Sequence, residues 1–203
     1  MKLRTLVSLV VCFASQIYLT SCNNSYKSNN TPFHGTATLA EMDTLLTKLQ
    51  DLDTVDCKNL DKIVIINEKM RRIVENIRFT EEFDKLVKAY QQNEYQITFV
   101  FSEDKHIGVF SWNTKMDCLG HSIKNIALFK SNDKLHATSL YGESMIYRGI
   151  ASRKKSNNKT IYILSGETIL REPAINGYTI ANEHLVESSI PTIEETYVDN
   201  TYN

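Results

Sequence analysis

The segment Tyr95-Gln96-Ile97-Thr98-Phe99-Val100-Phe101 marks the point where the chain changes from one kind of secondary structure to another. β-Branched and aromatic side chains dominate it, and such residues are enriched in strands. The residues before it carry apolar side chains at helical spacing, whereas those after it form short apolar runs separated by polar turns. Helices followed by strands predict an α+β fold with the helices on one side of the sheet.

Three amphipathic helices are predicted before residue 95. The capping-box pattern Thr38-Leu39-Ala40-Glu41 begins the first helix, whose apolar stripe runs to Leu52. Asp56 or Asn59 is predicted to cap the second helix, and Thr80 the third. The stripes are too short to sustain a coiled coil, so we expect them to pack on the domain's own core.

Short strands with polar turns between them are predicted for the rest of the domain. They cover residues 95–101, 107–112, 123–130, 135–141, 144–148 and 160–165, with a seventh strand inside 178–186. This pattern predicts an antiparallel β-meander packed against the helices. A partly closed β-barrel is the alternative.

The first 22 residues have the organisation of an export signal. Lys2 and Arg4 precede an uncharged, largely apolar run at 5–18, which is too short to span a bilayer comfortably. Leu19-Thr20-Ser21-Cys22 follows, and this sequence resembles the lipobox of bacterial lipoproteins. The resemblance implies cleavage of the signal peptide before Cys22 and attachment of lipid, including palmitate, to Cys22. The protein would then bind a membrane through this lipid anchor.

The residues after the lipobox indicate which membrane, and which face of it, would hold the protein. Asn23 stands where lipoproteins kept in the inner membrane carry Asp, so the resemblance implies attachment to the outer membrane. Residues 23–30 lack the acidic run of some surface-exposed lipoproteins, which favours the periplasmic face.

The chain therefore divides into four predicted parts. Residues 1–21 are the signal peptide, and 22–37 are the lipidated cysteine and a flexible Asn/Ser/Thr-rich tether. Residues 38–187 form a single α+β domain, and 188–203 form a polar tail or an edge strand.

Two of the four cysteines remain for the folded domain. Cys12 leaves with the signal peptide and Cys22 is lipidated, which leaves Cys57 and Cys118. An even pair outside the cytosol favours a disulfide, and closing this loop is expected to add about 4 kcal/mol of stability. Two separate buried thiols are the alternative, because free cysteine also packs as a small hydrophobe.

The net charge argues against nucleic-acid binding, and no sequence motif identifies an activity. The 203 residues carry 23 basic and 24 acidic side chains, a net charge of −1, so no basic excess favours nucleic-acid binding. We expect no metal and no cofactor, and we assign no catalytic residue. The most suggestive cluster is Cys118-Leu119-Gly120-His121, since a thiol beside an imidazole is a pattern of thiol enzymes.

The segment from Phe101 to Thr114, including Trp112, is similar to a stretch of uncharacterised exported lipoproteins, which implies no activity. We expect a non-catalytic binding or assembly module of the cell envelope with an envelope protein as partner. One alternative is an envelope hydrolase acting on glycan or peptide, through Cys118 and His121 or through loop acids such as Glu167 and Glu172. The other is an inhibitor or immunity-type protein.

Overall fold

A computed structural model describes residues 32–142, 144–154 and 159–190. The predicted α+β fold is confirmed: within these ranges, three α-helices precede eight antiparallel strands. The helices are α1 (Gly35–Gln50), α2 (Leu60–Glu75) and α3 (Thr80–Gln92). The strands are β1 (Thr98–Phe101), β2 (Ile107–Met116), β3 (His121–Ser131), β4 (Lys134–Ser139), β5 (Met145–Lys154), β6 (Thr160–Thr168), β7 (Pro173–Ala181) and β8 (His184–Glu187).

The first helix begins three residues before the predicted boundary of the tether. Gly35 opens α1 and lies against α3, where a Cβ atom would come within 2.5 Å of the Lys85 carbonyl oxygen. Thr38 is therefore inside the helix and is not its cap. Its hydroxyl donates to the His34 carbonyl oxygen one turn earlier. The close contact with α3 explains why the helix begins at a glycine and not at the capping box.

The other two helix starts also differ in detail from the prediction. Asn59 does precede α2, but its backbone is left-handed and its side chain makes no capping hydrogen bond. Asp56 lies in a separate 3₁₀ turn, Val55–Cys57. The residue that caps α3 is Phe79, and the Glu82 carboxylate accepts the backbone N–H groups of Arg78 and Phe79.

The strands form two four-stranded sheets where one meander was predicted. Their orders are β1-β2-β3-β4 and β5-β6-β7-β8, and they do not close into a barrel. The predicted seventh strand is in fact a hairpin, because Asn182 and Glu183 both take positive φ and turn the chain between β7 and β8.

The first sheet is the middle layer of the domain. Its side chains alternate, so Phe99, Phe110, Trp112 and Leu128 pack with the helices on one face. Val109, Ala127 and Phe129 face the second sheet on the other. Phe99 stacks on Phe110 with ring centroids 4.3 Å apart. The aromatic side chains around the first hairpin therefore belong mainly to the core.

Several predicted features lie outside the described residues. These are the signal peptide, the lipobox with Cys22, the tether up to residue 31 and the tail from 191 onward. No helix within the described ranges is long and apolar enough to cross a membrane.

Candidate functional site

The last part of β2 borders three neighbouring hollows. β3 pairs with β2 as far as Met116, but β1 pairs with it only up to Ser111. The chain before β1 is held on α1, because the Asp43 carboxylate accepts the backbone N–H groups of Gln96 at 2.9 Å and Ile97 at 2.8 Å. Beyond Ser111, β1 therefore no longer pairs with β2.

The first hollow, which we call the Arg71 groove, lies between α2 and the first sheet. Its volume is about 180 Å³. Its lining consists of an apolar floor and a charged rim: Val64, Asn67, Glu68, Arg71, Trp112, Thr114, Met116 and Lys124.

A buried polar network forms the base of the Arg71 groove. The Asn67 side-chain amide donates to the carbonyl oxygens of Ile63 and Thr114, both at 2.9 Å. The Asn67 Oδ1 atom accepts the indole N–H of Trp112 at 2.8 Å. Asn67 and Trp112 are both buried, so the network joins α2 to the end of β2 out of contact with solvent.

The rim of the Arg71 groove is a local ion-pair cluster. Arg71 binds Glu68 at 2.7 Å and also contacts Glu75, while Arg72 reaches Glu68 at 2.7 Å. The hydrogen bond from Arg71, followed by that from Arg72, lowers the pKa of Glu68 to about 2. The same pairing raises the pKa of Arg71. Its charge is thus already matched by carboxylates of its own helix, which leaves it a weak site for an anionic ligand.

The second hollow, which we call the Arg148 groove, lies where α1, the first sheet and β5 meet. Its volume is about 330 Å³. Amides, hydroxyls and two cations dominate its lining: Leu46, Gln50, Gln96, Thr98, Ser111, Trp112, Asn113, Lys115, Ile146 and Arg148.

Some polar side chains of the Arg148 groove are hydrogen-bonded within the protein and others are not. The Lys115 ammonium donates to the carbonyl oxygens of Gln50 at 2.6 Å and Leu52 at 3.1 Å, beyond the end of α1. Arg148 is more exposed and comes no closer than 4.0 Å to its nearest carboxylate, Glu167. The side-chain amides of Gln50 and Gln96 make no hydrogen bond within the described part of the chain. The side chains of Arg148, Gln50 and Gln96 are therefore available to a ligand.

A β-bulge places Arg148 at the groove. The pairing of β5 with β6 shifts between Tyr147 and Gly149, so Arg148 is the extra residue on β5. Opposite the bulge, Gly166 lies so close to β5 that a Cβ atom would be 2.2 Å from the Ile146 carbonyl oxygen. The glycine therefore permits the approach of β6 to β5 that sets the position of Arg148.

The third hollow contains the two cysteines predicted as a pair. Cys57 lies in the turn before α2 and Cys118 in the 3₁₀ turn Asp117–Leu119 after β2. Both thiols are exposed and line one cavity of about 40 Å³. Both cysteines are free in the structure, and neither is buried as the alternative to the disulfide expected. The disulfide stays a prediction.

The residues considered for hydrolase chemistry are not brought to either groove. Cys118 faces Cys57, and the side chain of His121 lies outside the described residues. Glu167 is near Arg148, whereas Glu172 lies in the turn between β6 and β7 and binds Thr168 through its backbone.

Asp104, another acidic loop residue, stabilises the structure through its hydrogen bonds. Its carboxylate accepts hydrogen bonds from the Ser102 hydroxyl, the His106 backbone N–H and the Tyr162 hydroxyl. Burial alone would raise the pKa of Asp104, but these hydrogen bonds outweigh it and lower that pKa. Burial and the Asp104 charge raise the pKa of Tyr162. The contact ties the turn after β1 to the second sheet.

Three residues that shape the site were not identified from the sequence: Asn67, Lys115 and Arg148. Asn67 had a detectable signal, since it interrupts the apolar stripe of α2 between Ile63 and Met70. A polar residue on a buried helix face generally requires hydrogen-bond partners. Lys115 and Arg148 had no such signal, because their positions depend on strand irregularities.

No family model, curated protein or solved structure matches the chain. The function must therefore be argued from the site itself. Within residues 32–142, 144–154 and 159–190, no group of three or more His, Cys, Asp or Glu side chains is placed to hold a metal ion.

Proposed function

We propose that the protein is a lipid-anchored binding module of the cell envelope, and that the Arg148 groove receives an extended acidic segment of an envelope protein. The observation that carries this proposal is the groove's combination of a strand side that β1 leaves at Ser111 with cationic and amide side chains. A segment laid beside β2 at Trp112 and Asn113 would take the place of β1 there, and strand addition to a sheet is a common way to bind peptides.

The charges of the groove favour an acidic segment. Lys115 and Arg148 line it, and its lining contains no carboxylate. The side-chain amides of Gln50 and Gln96 add hydrogen-bond donors and acceptors that suit the carbonyl and N–H groups of a peptide backbone. Hydrogen bonding and charge, not bond cleavage, are what this lining provides, so the role we propose is non-catalytic.

Site-directed photo-crosslinking in cells tests the proposal. A photoreactive amino acid at Gln96 of the full-length chain should give a discrete protein adduct, identified by mass spectrometry. Arg148→Glu in the same chain should lower the adduct yield by about tenfold, the effect of losing one favourable charge contact worth roughly 1.4 kcal/mol.

Lys88 provides the matched control, because it is an exposed residue of α3 outside the groove. The photoreactive group at Lys88 should not give the Gln96 adduct, and Lys88→Glu should not change the yield from Gln96. Equal adducts from both positions, or none from Gln96, would overturn the groove as a binding site.

The lipid anchor is tested separately. Cys22→Ala should abolish incorporation of a palmitate analogue and release the protein from the membrane fraction, because Cys22 is the only acyl acceptor in the lipobox. Cys12→Ala is the control, since this cysteine lies in the same signal region and should leave labelling intact. Unchanged labelling and membrane partitioning of Cys22→Ala would contradict the lipoprotein assignment.

A further inference from the structure

The α1–α2 connection and the turn after β2 approach each other through their cysteines. The cavity between them, about 40 Å³, is little larger than the roughly 30 Å³ that a water molecule occupies in the liquid. Lys115 also lines this cavity, and its ammonium group is bonded to the carbonyl oxygens of Gln50 and Leu52. The two cysteine-bearing segments are thus already held together at a point two and three residues from Asp117 and Cys118.

The local backbone holds Cys57 in an unusual conformation. Asp56, Cys57 and Asn59 have φ values of 54°, 57° and 58°. This left-handed region is uncommon for residues other than glycine, so three such residues within four positions are maintained by the surrounding contacts. Among these contacts, Asn59 donates to the Asp53 carbonyl oxygen at 3.1 Å. The connection is therefore a defined turn that presents Cys57 towards Cys118.

The chemistry of the pair argues against a catalytic nucleophile of the thiol-enzyme kind. The hydrogen bond with Cys57, followed by burial, raises the pKa of Cys118, and the neighbouring Asp117 charge acts in the same direction. A reactive thiol requires the opposite, a lowered pKa in positive surroundings. Two thiols alone also fall short of the four ligands of a structural zinc site. Both cysteines are free in the structure, and pairing with each other is the remaining chemistry for two exposed thiols that line one cavity.

We propose that Cys57 and Cys118 form an intramolecular disulfide by thiol–disulfide exchange with an oxidised disulfide donor, either a small molecule such as oxidised glutathione or a protein dithiol oxidant. One thiolate attacks the donor disulfide and releases one donor thiolate, which gives a mixed disulfide. The second cysteine thiolate then attacks the bonded cysteine sulfur and releases the other half of the donor. The protein loses two electrons and two protons, and the donor is reduced to two thiols.

The bond would fix the end of β2 to the segment that joins α1 to α2. It closes a loop of about 60 residues that contains α2, α3, β1 and β2, so it would restrict the unfolded chain over a large part of the domain. The proposal does not depend on what the Arg148 groove binds.

Thiol mapping of the full-length protein tests the disulfide. The protein is purified from cell envelopes in the presence of N-ethylmaleimide, digested and analysed by mass spectrometry before and after reduction. We expect a peptide cross-linked through Cys57 and Cys118, with both thiols labelled only after reduction. In a thermal melt, a reductant should lower the Tm by about 10 °C.

Serine variants provide the controls. Cys57→Ser should leave Cys118 free for labelling, and Cys118→Ser should do the same for Cys57. The double variant should show no effect of reductant on its Tm, and its circular dichroism shows whether it folds. If both thiols of the wild-type protein label without reduction, even after incubation with oxidised glutathione, or if the linked peptides come from two chains, the proposal is wrong.

Discussion

Replacing Asn67 by leucine is expected to lower the free energy of unfolding by about 4 kcal/mol and the Tm by about 10 °C. Leucine has the same branching at Cγ and is larger than asparagine, so the effect comes from lost hydrogen bonds and tighter packing and not from a cavity. Leucine leaves the indole N–H of Trp112 and the carbonyl oxygen of Thr114 without the bonds that Asn67 makes at 2.8 and 2.9 Å. Each unsatisfied buried group costs about 1–3 kcal/mol.

A double-mutant cycle separates this mechanism from general damage to the core. Trp112→Phe removes the indole N–H, so it should destabilise the protein less in the Asn67→Leu background than in the wild-type background. Asn93→Leu is the matched control, because Asn93 is exposed and donates only to the Ala89 carbonyl oxygen. Additive effects of Asn67→Leu and Trp112→Phe in chemical denaturation would contradict the proposed network.

The same network explains what the sequence could and could not predict about the helices. The apolar stripe of α2 predicts correctly which face is buried, because Ile63, Met70 and Val74 do form part of the core. It does not predict that Asn67 on that face would join the helix to β2. The partners of Asn67 on β2 are more than 40 residues away along the chain, and helical periodicity contains no information about them.

The strands show a similar division between local and long-range information. Alternation and turn residues locate six of the eight strands and place the residues around Phe99 in the core. The division into two sheets depends on β5 not pairing with β4, and no local pattern specifies that. The Arg148 groove also depends on contacts between distant parts of the chain, because residues of α1, β2 and β5 line it together.

The cysteine pair illustrates how far residue counting can go. Counting alone selects Cys57 and Cys118, and the structure places both at one cavity. Their approach requires the left-handed turn at Asp56 and Cys57, a conformation that aspartate adopts more readily than most residues but that cysteine does not favour. The sequence therefore singled out the two cysteines that line this cavity without predicting the backbone that brings them there.

Gly166→Ala is expected to destabilise the protein by about 3 kcal/mol and to reduce crosslinking from the Arg148 groove. A Cβ atom at this position would be 2.2 Å from the Ile146 carbonyl oxygen and 2.9 Å from the Tyr147 Cα atom. Both are backbone atoms, so no rotation of a side chain relieves the contact and β5 must move. Forced overpacking commonly costs about 1–3 kcal/mol, and a contact with backbone belongs at the upper end.

The displacement of β5 would also move Ile146 and Arg148, which line the Arg148 groove. Gly149→Ala is the matched control in the same hairpin, because its Cβ atom would meet only the Ser165 hydroxyl oxygen, at 3.3 Å. We expect Gly149→Ala to change stability by less than about 0.5 kcal/mol.

Thermal unfolding and crosslinking from Gln96, measured on both variants, test the two effects together. If Gly166→Ala is as stable as Gly149→Ala, then β6 does not approach β5 as closely as the structure shows. If Gly166→Ala is destabilised but still folded and crosslinks from Gln96 at the wild-type yield, then the bulge does not position the residues that bind the partner.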